Sequence, residues 1–200
     1  MKTKPFAESS EQNKQPILEI LRTEFADAHR VLEVGSGTGQ HAVFFAEQLP
    51  HLHWICSDLQ ENHSGIRVWL EESGLSNVEG PLLLDAREHW PAMSVDAVFS
   101  ANTVHIMSWR AVEGMMENMG RILRPGGKLC LYGPFMVDGQ HSSERNARFD
   151  DWLRARDPLS GVRDVTALNE LAEKAGLQFE KNHEMPVNNR ILVWRHAARS

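Results

Sequence analysis

The 200-residue chain is 42% hydrophobic, enough for one domain with a full core, and its 21 basic against 27 acidic residues leave a net charge of −6. That balance offers no electrostatic footprint for a nucleic-acid backbone or an anionic membrane, and it points to a small-molecule substrate. The two cysteines, Cys56 and Cys130, each sit inside an apolar run and read as buried free thiols. Residues 1–10 hold no apolar h-region and no stretch nears about eighteen apolar residues, so a cytoplasmic protein is expected, without export or membrane insertion.

Strand-like and helix-like segments alternate as far as residue 135, the pattern of a parallel sheet covered on both faces. A helix is expected from about Asn13 to Phe25, with Pro16 in its first turn, where a missing N–H does no harm. The apolar run Val31, Leu32, Val34 reads as the first strand, followed by a helix over 40–48. His53 to Ser57 reads as the second strand, Asn62 to Ser73 as a helix closed by Gly74, and Val78 to Leu84 as the third strand, placed at an edge by Pro81. Val95 to Ala101, a helix from Trp109 to Ile122, the turn Pro125-Gly126-Gly127 and a strand from Lys128 to Tyr132 follow. Residues 137–164 read as a polar, turn-rich insertion, of a length that usually carries function or a lid. A helix from Thr166 to Ala175, then strand candidates 178–183 and 191–194, suggest an antiparallel pair. The sum is α/β: a doubly wound, mostly parallel seven-stranded sheet with an antiparallel C-terminal pair, in one domain spanning 1–200.

The segment Val31-Leu-Glu-Val-Gly-Ser-Gly-Thr-Gly39 is where chemistry enters, because glycines between a buried strand and a helix let backbone approach a ligand. Three readings compete. A phosphate-binding P-loop needs Lys-Ser/Thr after its last glycine and is rejected by Gln40 and His41. The dinucleotide pattern G-x-G-x-x-G/A fits Gly35 and Gly37 but wants a small residue where Gln40 stands. The pattern E-x-G-x-G-x-G matches Glu33, Gly35, Gly37 and Gly39 throughout, and an acid suits a ligand bearing an ammonium and a sulfonium.

Ligands of open α/β sheets lie beyond the carboxyl ends of the strands, so the polar residues there are the candidates. Asp58, about twenty residues past the glycine loop, is placed to accept ribose hydroxyls. Ser36 in the loop and Leu59 beyond Asp58 join it. Asp85 with Ala86 ends the third strand and Asn102 the fourth. Each of these has a plain alternative as a turn or capping residue. Glu33 is read as facing the ammonium through water or backbone, and Asn13 with Lys14 as folding over the cofactor from the first helix.

With these residues in place the chain resembles class I S-adenosylmethionine-dependent methyltransferases. Leu123-Arg-Pro-Gly-Gly-Lys-Leu129 resembles the turn after their fourth motif. More narrowly it is similar to an uncharacterised family of short methyltransferase-like proteins, through Glu11 to Ile17, Ser36 to Ala42, Trp54 to Asp58, Leu131-Tyr-Gly-Pro-Phe135, Asn146, Phe149-Asp150, Arg163-Asp164 and Met185-Pro-Val-Asn-Asn189. Members often carry Ala where Gly35 stands and Arg where Gln12 stands. The resemblance implies a Rossmann-like methyltransferase fold and S-adenosylmethionine as cofactor, with an adenine contact at Asp85 and Ala86 and the methionyl part or the reacting centre at Asn102; it implies no substrate.

Methyl transfer from a sulfonium asks mainly for alignment and exclusion of water. His105 is the nearest candidate base and Tyr132 is expected to line the same cleft. Trp109 is weighed as a cover for adenine against a packing role. Arg145, Arg148, Arg154, Arg156 and Arg163 form either an anion clamp or, the stronger expectation, a solvated face paired with Asp150, Asp151, Asp157 and Asp164. The ten histidines show no metal-ligand spacing, so no metal is expected. Two rivals stay open: a non-catalytic cofactor- or partner-binding module, and a nicotinamide-dependent oxidoreductase. Oligomeric state is not legible.

Overall fold

The computed structural model describes residues 4–197. One sheet dominates. Its strands are β1 (Arg30–Val34), β2 (His53–Asp58), β3 (Val78–Leu83), β4 (Val95–Ala101), β5 (Leu123–Gly133), β9 (Leu177–Met185) and β10 (Asn189–His196), in the order β3-β2-β1-β4-β5-β10-β9. The first five are parallel, while β10 runs antiparallel to both β5 and β9. The Pro81-bearing β3 holds the edge, where a strand without one ladder donor is tolerated. Chain order reverses beside β1 and β4, which places a crevice beyond their carboxyl ends.

Alternation along the strands divides the core into two layers. Leu32, Val34, Leu129, Leu131, Leu192 and Trp194 face α4 (Trp109–Ile122) and α6 (Val165–Lys174). Val31, Trp54, Cys56, Phe99, Cys130 and Ile191 face α1 (Glu8–Glu24), α2 (Gln40–Gln48) and α3 (His63–Ser73), the last ended by Gly74 at φ +65°. Glu24, at the end of α1, is buried in a cage of Lys128, Lys181 and His183 at 2.8, 2.8 and 3.1 Å. Burial pushes its carboxyl up, but those three donors prevail and hold it at about 2.

Two regions differ from the sequence reading. Helix α1 begins at Glu8, five residues before Asn13, because Glu8 and Glu11 supply first-turn acids and the Ala7 N–H finds Gln40 Oε1 at 2.6 Å. Pro16 therefore lies in the helix interior, where the Gln12 carbonyl loses its usual donor. The segment 137–164 is not a string of turns. It contains α5 (Glu144–Arg156), capped by Ser143, whose Oγ accepts from Asn146 N at 3.2 Å, and a small sheet of β6 (Phe135–Val137), β7 (Gln140–His141) and β8 (Arg163–Asp164). No helix among the described residues is long and apolar enough to cross a membrane.

Candidate active site

The glycine loop leaves β1 stitched to β2: the N–H groups of Gly35 and Ser36 both donate to Ser57 O at 3.0 Å. Gly35, Gly37 and Gly39 take φ of +74°, +57° and +91°, left-handed angles that glycine reaches cheaply. A Cβ on Gly37 would meet nothing within 4 Å, so that peptide faces open cavity, whereas one on Gly35 would lie 2.8 Å from Thr103 Oγ1. Gly39 serves packing instead, backing onto α3 with 3.2 Å between an added Cβ and Ile66 Cα.

Asp58 lies beside the open glycine. Its Oδ2 accepts from Gly37 N at 2.7 Å, and its Oδ1 accepts from Leu59 N at 2.7 Å and Asn62 Nδ2 at 2.8 Å. Three of its roughly four acceptor directions are thus filled, leaving about one for a hydroxyl, or more if Asn62 gives way. Gly35, Gly37, Asp58, Leu59, Asp85, Ala86 and Asn102 line one cavity together. Asp85 is engaged there by Arg87, with Nη2 at 2.5 Å and Nε at 3.0 Å, and that ion pair holds its carboxyl below the usual range.

A second cavity continues along the other side of the loop, past Ser36, Thr38 and His41, and is walled by Pro5, Ala7 and Ser10. Residues 4–7 are strapped down: Pro5 O accepts from Trp69 Nε1 at 2.7 Å, and Lys4 lies 3.7 Å over the Trp69 ring. His41, which sequence reasoning treated only as an isolated histidine, stacks on Phe45 and sits 2.7 Å from Asn13 Oδ1. Burial drops it to about 4, so it is neutral.

Glu33 stands behind the loop and does not line these cavities. Its Oε2 accepts from Ser36 Oγ at 2.8 Å and Trp54 Nε1 at 3.2 Å on the α1–α3 side of the sheet. Burial raises it to about 7 against those two hydrogen bonds, with the Asp58 charge adding to the rise.

Asn102, at φ +56°, donates its N–H to Tyr132 O at 2.8 Å and borders both of these cavities and a third, of ≈ 520 Å³, that runs toward α5. His105 and Tyr132 line that third space, together with Asn13. His105 is 3% exposed, has no partner at Nδ1, and is pushed down to about 4 by burial and by nearby Arg163. The Tyr132 hydroxyl accepts from Asn189 Nδ2 at 2.8 Å, and burial raises its pKa. Asn146, Phe149, Trp152 and Asn189 are also in the wall; all but Trp152 belong to the motifs of the narrower resemblance, and tertiary contact shows that they share one space.

The insertion arginines separate. Arg148 pairs with Glu144 at 3.6 Å, Arg154 with Asp150 at 3.0 Å, and Arg156 lies 4.5 Å over Trp152. Arg163 is buried and donates to the carbonyls of Val104, Met107 and Leu159 at 3.1, 2.5 and 2.9 Å, pinning the loop that carries His105. Arg145 alone lines the third cavity. Trp109 packs at the α4 layer with Arg163 5.7 Å over its ring, away from the cavities described. Among the described residues no group of three or more His, Cys, Asp or Glu is placed to hold a metal ion.

Strand order, glycine loop and crevice together define the Rossmann-like methyltransferase fold. An O-methyltransferase family protein from Burkholderia thailandensis superposes with a TM-score of 0.83 at 16% identity, covering 96% of this chain and 58% of that one. Human N-acetylserotonin methyltransferase in complex with SAM gives 0.80 at 15% identity, covering 96% and 53%. Among curated sequences, the methyltransferase GfsG of Streptomyces halstedii is 27% identical over 180 residues, 88% of this chain and 61% of that protein. The chain thus spans just over half the length of these relatives. It belongs to the family described as "Protein of unknown function (DUF938)", whose profile matches residues 4–196.

Proposed function

We propose that this protein is a cytoplasmic methyltransferase that uses S-adenosylmethionine to methylate a small molecule. The observation that carries the reading is the open face of Gly37 beside Asp58, continuous through Asn102 with a separate chamber holding an unpartnered imidazole. The donor set fits the cofactor: a carboxylate with an acceptor direction left for ribose, a bare peptide for close approach, and an apolar stretch at Ala86, Ile106 and Met107 for adenine. Both cavities flanking the loop, of ≈ 610 and ≈ 670 Å³, fall in the size range of small-molecule sites.

When bound, the cofactor supplies a methyl group already activated on sulfonium sulfur. The protein's share is positional. Asn102, held left-handed against Tyr132 O, separates the chambers and sets where an acceptor atom meets that methyl. His105 stays neutral through the physiological range; its Nδ1 is unpartnered but enclosed, and a small shift of its loop would bring it to an acceptor hydroxyl. With the cofactor bound, His105 would be the group placed to take the proton of an acceptor hydroxyl as that oxygen is methylated. Tyr132, kept protonated by its raised pKa, orients the acceptor with its hydroxyl.

Calorimetry with S-adenosylmethionine and S-adenosylhomocysteine tests the reading. Both are expected to bind, and Asp58→Ala to weaken each about tenfold or more through lost charge-assisted hydrogen bonds. Absence of binding to both, or tight binding of NADH instead, overturns it. Binding with no methylated product across a metabolite-extract screen would mark a non-catalytic module.

A further inference from the structure

The third cavity is assembled from five segments remote in sequence: the Ser9 to Pro16 face of α1, Asn102 and His105 after β4, Tyr132 and Pro134, the inner face of α5, and the turn Pro186–Asn189. Its charge differs from that of the whole molecule. In a chain of net charge −6, its described lining contains no carboxylate, and Arg145 is its one formal charge. The cofactor cavity, by contrast, is bordered by Asp58, Glu61, Asp85 and Asp157. Among the described residues Arg145 makes no ion pair or hydrogen bond, while its four neighbours in the insertion are all engaged.

Arg145, Phe149 and Trp152 fall at i, i+4 and i+7 of α5 and so share one face of the helix. Phe149 and Trp152 lie 5.8 Å apart with an 18° interplanar angle, and His105 meets Phe149 at 5.4 Å and 74°. Trp152 is 50% exposed at the cavity, with Arg156 4.5 Å over its ring. The helix is anchored by Asn146, whose Nδ2 donates to Ser142 Oγ at 2.8 Å and Asn188 O at 3.0 Å. On the facing turn Val187 and Asn188 take φ of +55° and +62°. A β-branched residue at that angle costs about 1–3 kcal/mol, and the result is a valine 57% exposed at the cavity. A part-exposed aromatic pair, an exposed aliphatic, one unpaired cation and a buried neutral imidazole thus meet in one space.

We propose that this cavity selects a planar ring acceptor that carries an acidic substituent, with the ring against Phe149, Trp152 and Val187, the anion on Arg145, and the nucleophilic hydroxyl toward His105. The assignment rests on the methyl-transfer reading for its reaction but not for its recognition chemistry. A guanidinium takes a carboxylate with two parallel hydrogen bonds, and nothing in the described lining offers a counter-charge to an ammonium.

The test is calorimetric, on the full chain, with and without saturating S-adenosylhomocysteine. The probes are 4-hydroxybenzoate, 4-hydroxybenzamide, tyramine and trans-4-hydroxycyclohexanecarboxylate. The ring acid is expected to bind about tenfold or more tightly than the amide, the amine and the saturated acid. Arg145→Gln should erase the acid-over-amide preference, and Trp152→Ala should weaken both the aromatic acid and the aromatic amide; both positions are exposed, so the fold is retained. Equal affinity for acid and amide, a preference that survives Arg145→Gln, or no binding of the acid overturns the proposal. The S-adenosylhomocysteine titration reads the reaction assignment separately: cofactor binding without acid selectivity removes only this acceptor class, and acid selectivity without cofactor binding removes only the reaction.

Discussion

Replacing Glu33 by Gln tests the electrostatics behind the glycine loop. The carboxyl is fully buried and raised from 4.5 to about 7, so the folded protein holds a proton there that the unfolded chain releases above pH 4.5. Its contribution to stability is therefore complete below pH 4.5 and is lost as pH rises toward 7. A shift of that size makes the wild type about 2 kcal/mol less stable at pH 8 than at pH 5 through this group alone. His41 and His105, lowered to about 4, act in the opposite sense and lose stability as pH falls below 6.5. The difference between wild type and Glu33→Gln cancels them. Urea unfolding at pH 5 and pH 8 should show the variant's advantage growing by about 2 kcal/mol toward the higher pH, since Gln still accepts from Ser36 and Trp54. A pH-independent difference would refute the reasoning, because Glu33 would then ionise alike in both states.

Gly37→Ala adds a methyl where space is open but the backbone is left-handed, at about 1 kcal/mol and a Tm loss of about 2–4 °C. Its S-adenosylhomocysteine affinity should fall far more, about tenfold or beyond by displacement titration, and unchanged affinity would remove the loop from the site. Arg163→Lys loses the planar fork that reaches three carbonyls and should lower urea stability by about 2 kcal/mol; a change within error would show the pin to be idle. Glu24→Gln leaves Lys128 half-satisfied and should cost about 2–3 kcal/mol at pH 7. Because Glu24 is depressed to about 2, the wild-type contribution is lost as pH falls from 4.5 through 2, and the gap between the two proteins should close in acid denaturation.

The sheet was legible because its signals are local. Apolar runs of strand length, the glycine spacing after β1 and Pro81 at the edge each act within a few residues, and β3 and the β9–β10 pair lie where they indicate. Helix α5 was not, because Glu144 to Arg156 offers only Phe149, Trp152 and Leu153 as large apolar residues, too few for a 3.6-residue rhythm. Its termini did carry a signal: Ser143 as cap, Glu144 in the first turn, and Arg154 and Arg156 in the last. Pro16 misplaced the start of α1 because proline favours a first turn, and here tertiary contact with Gln40 overrides that preference. The face of Glu33 follows from strand alternation, since it points opposite Leu32 and Val34; its resemblance to a cofactor-motif acid drew it toward the ligand instead. The fates of the five arginines depend on partners up to about sixty residues away, which composition cannot supply.

Asn102 forms part of the boundary of all three cavities described above, and its backbone is tied to the strand that carries Tyr132. A wall common to two compartments cannot be adjusted for one without reshaping the other. Any change that filling one makes to affinity in the other is, by equilibrium reciprocity, returned by the same factor. Reciprocity sets no order of filling; it ties the affinities on either side of Asn102 into one quantity.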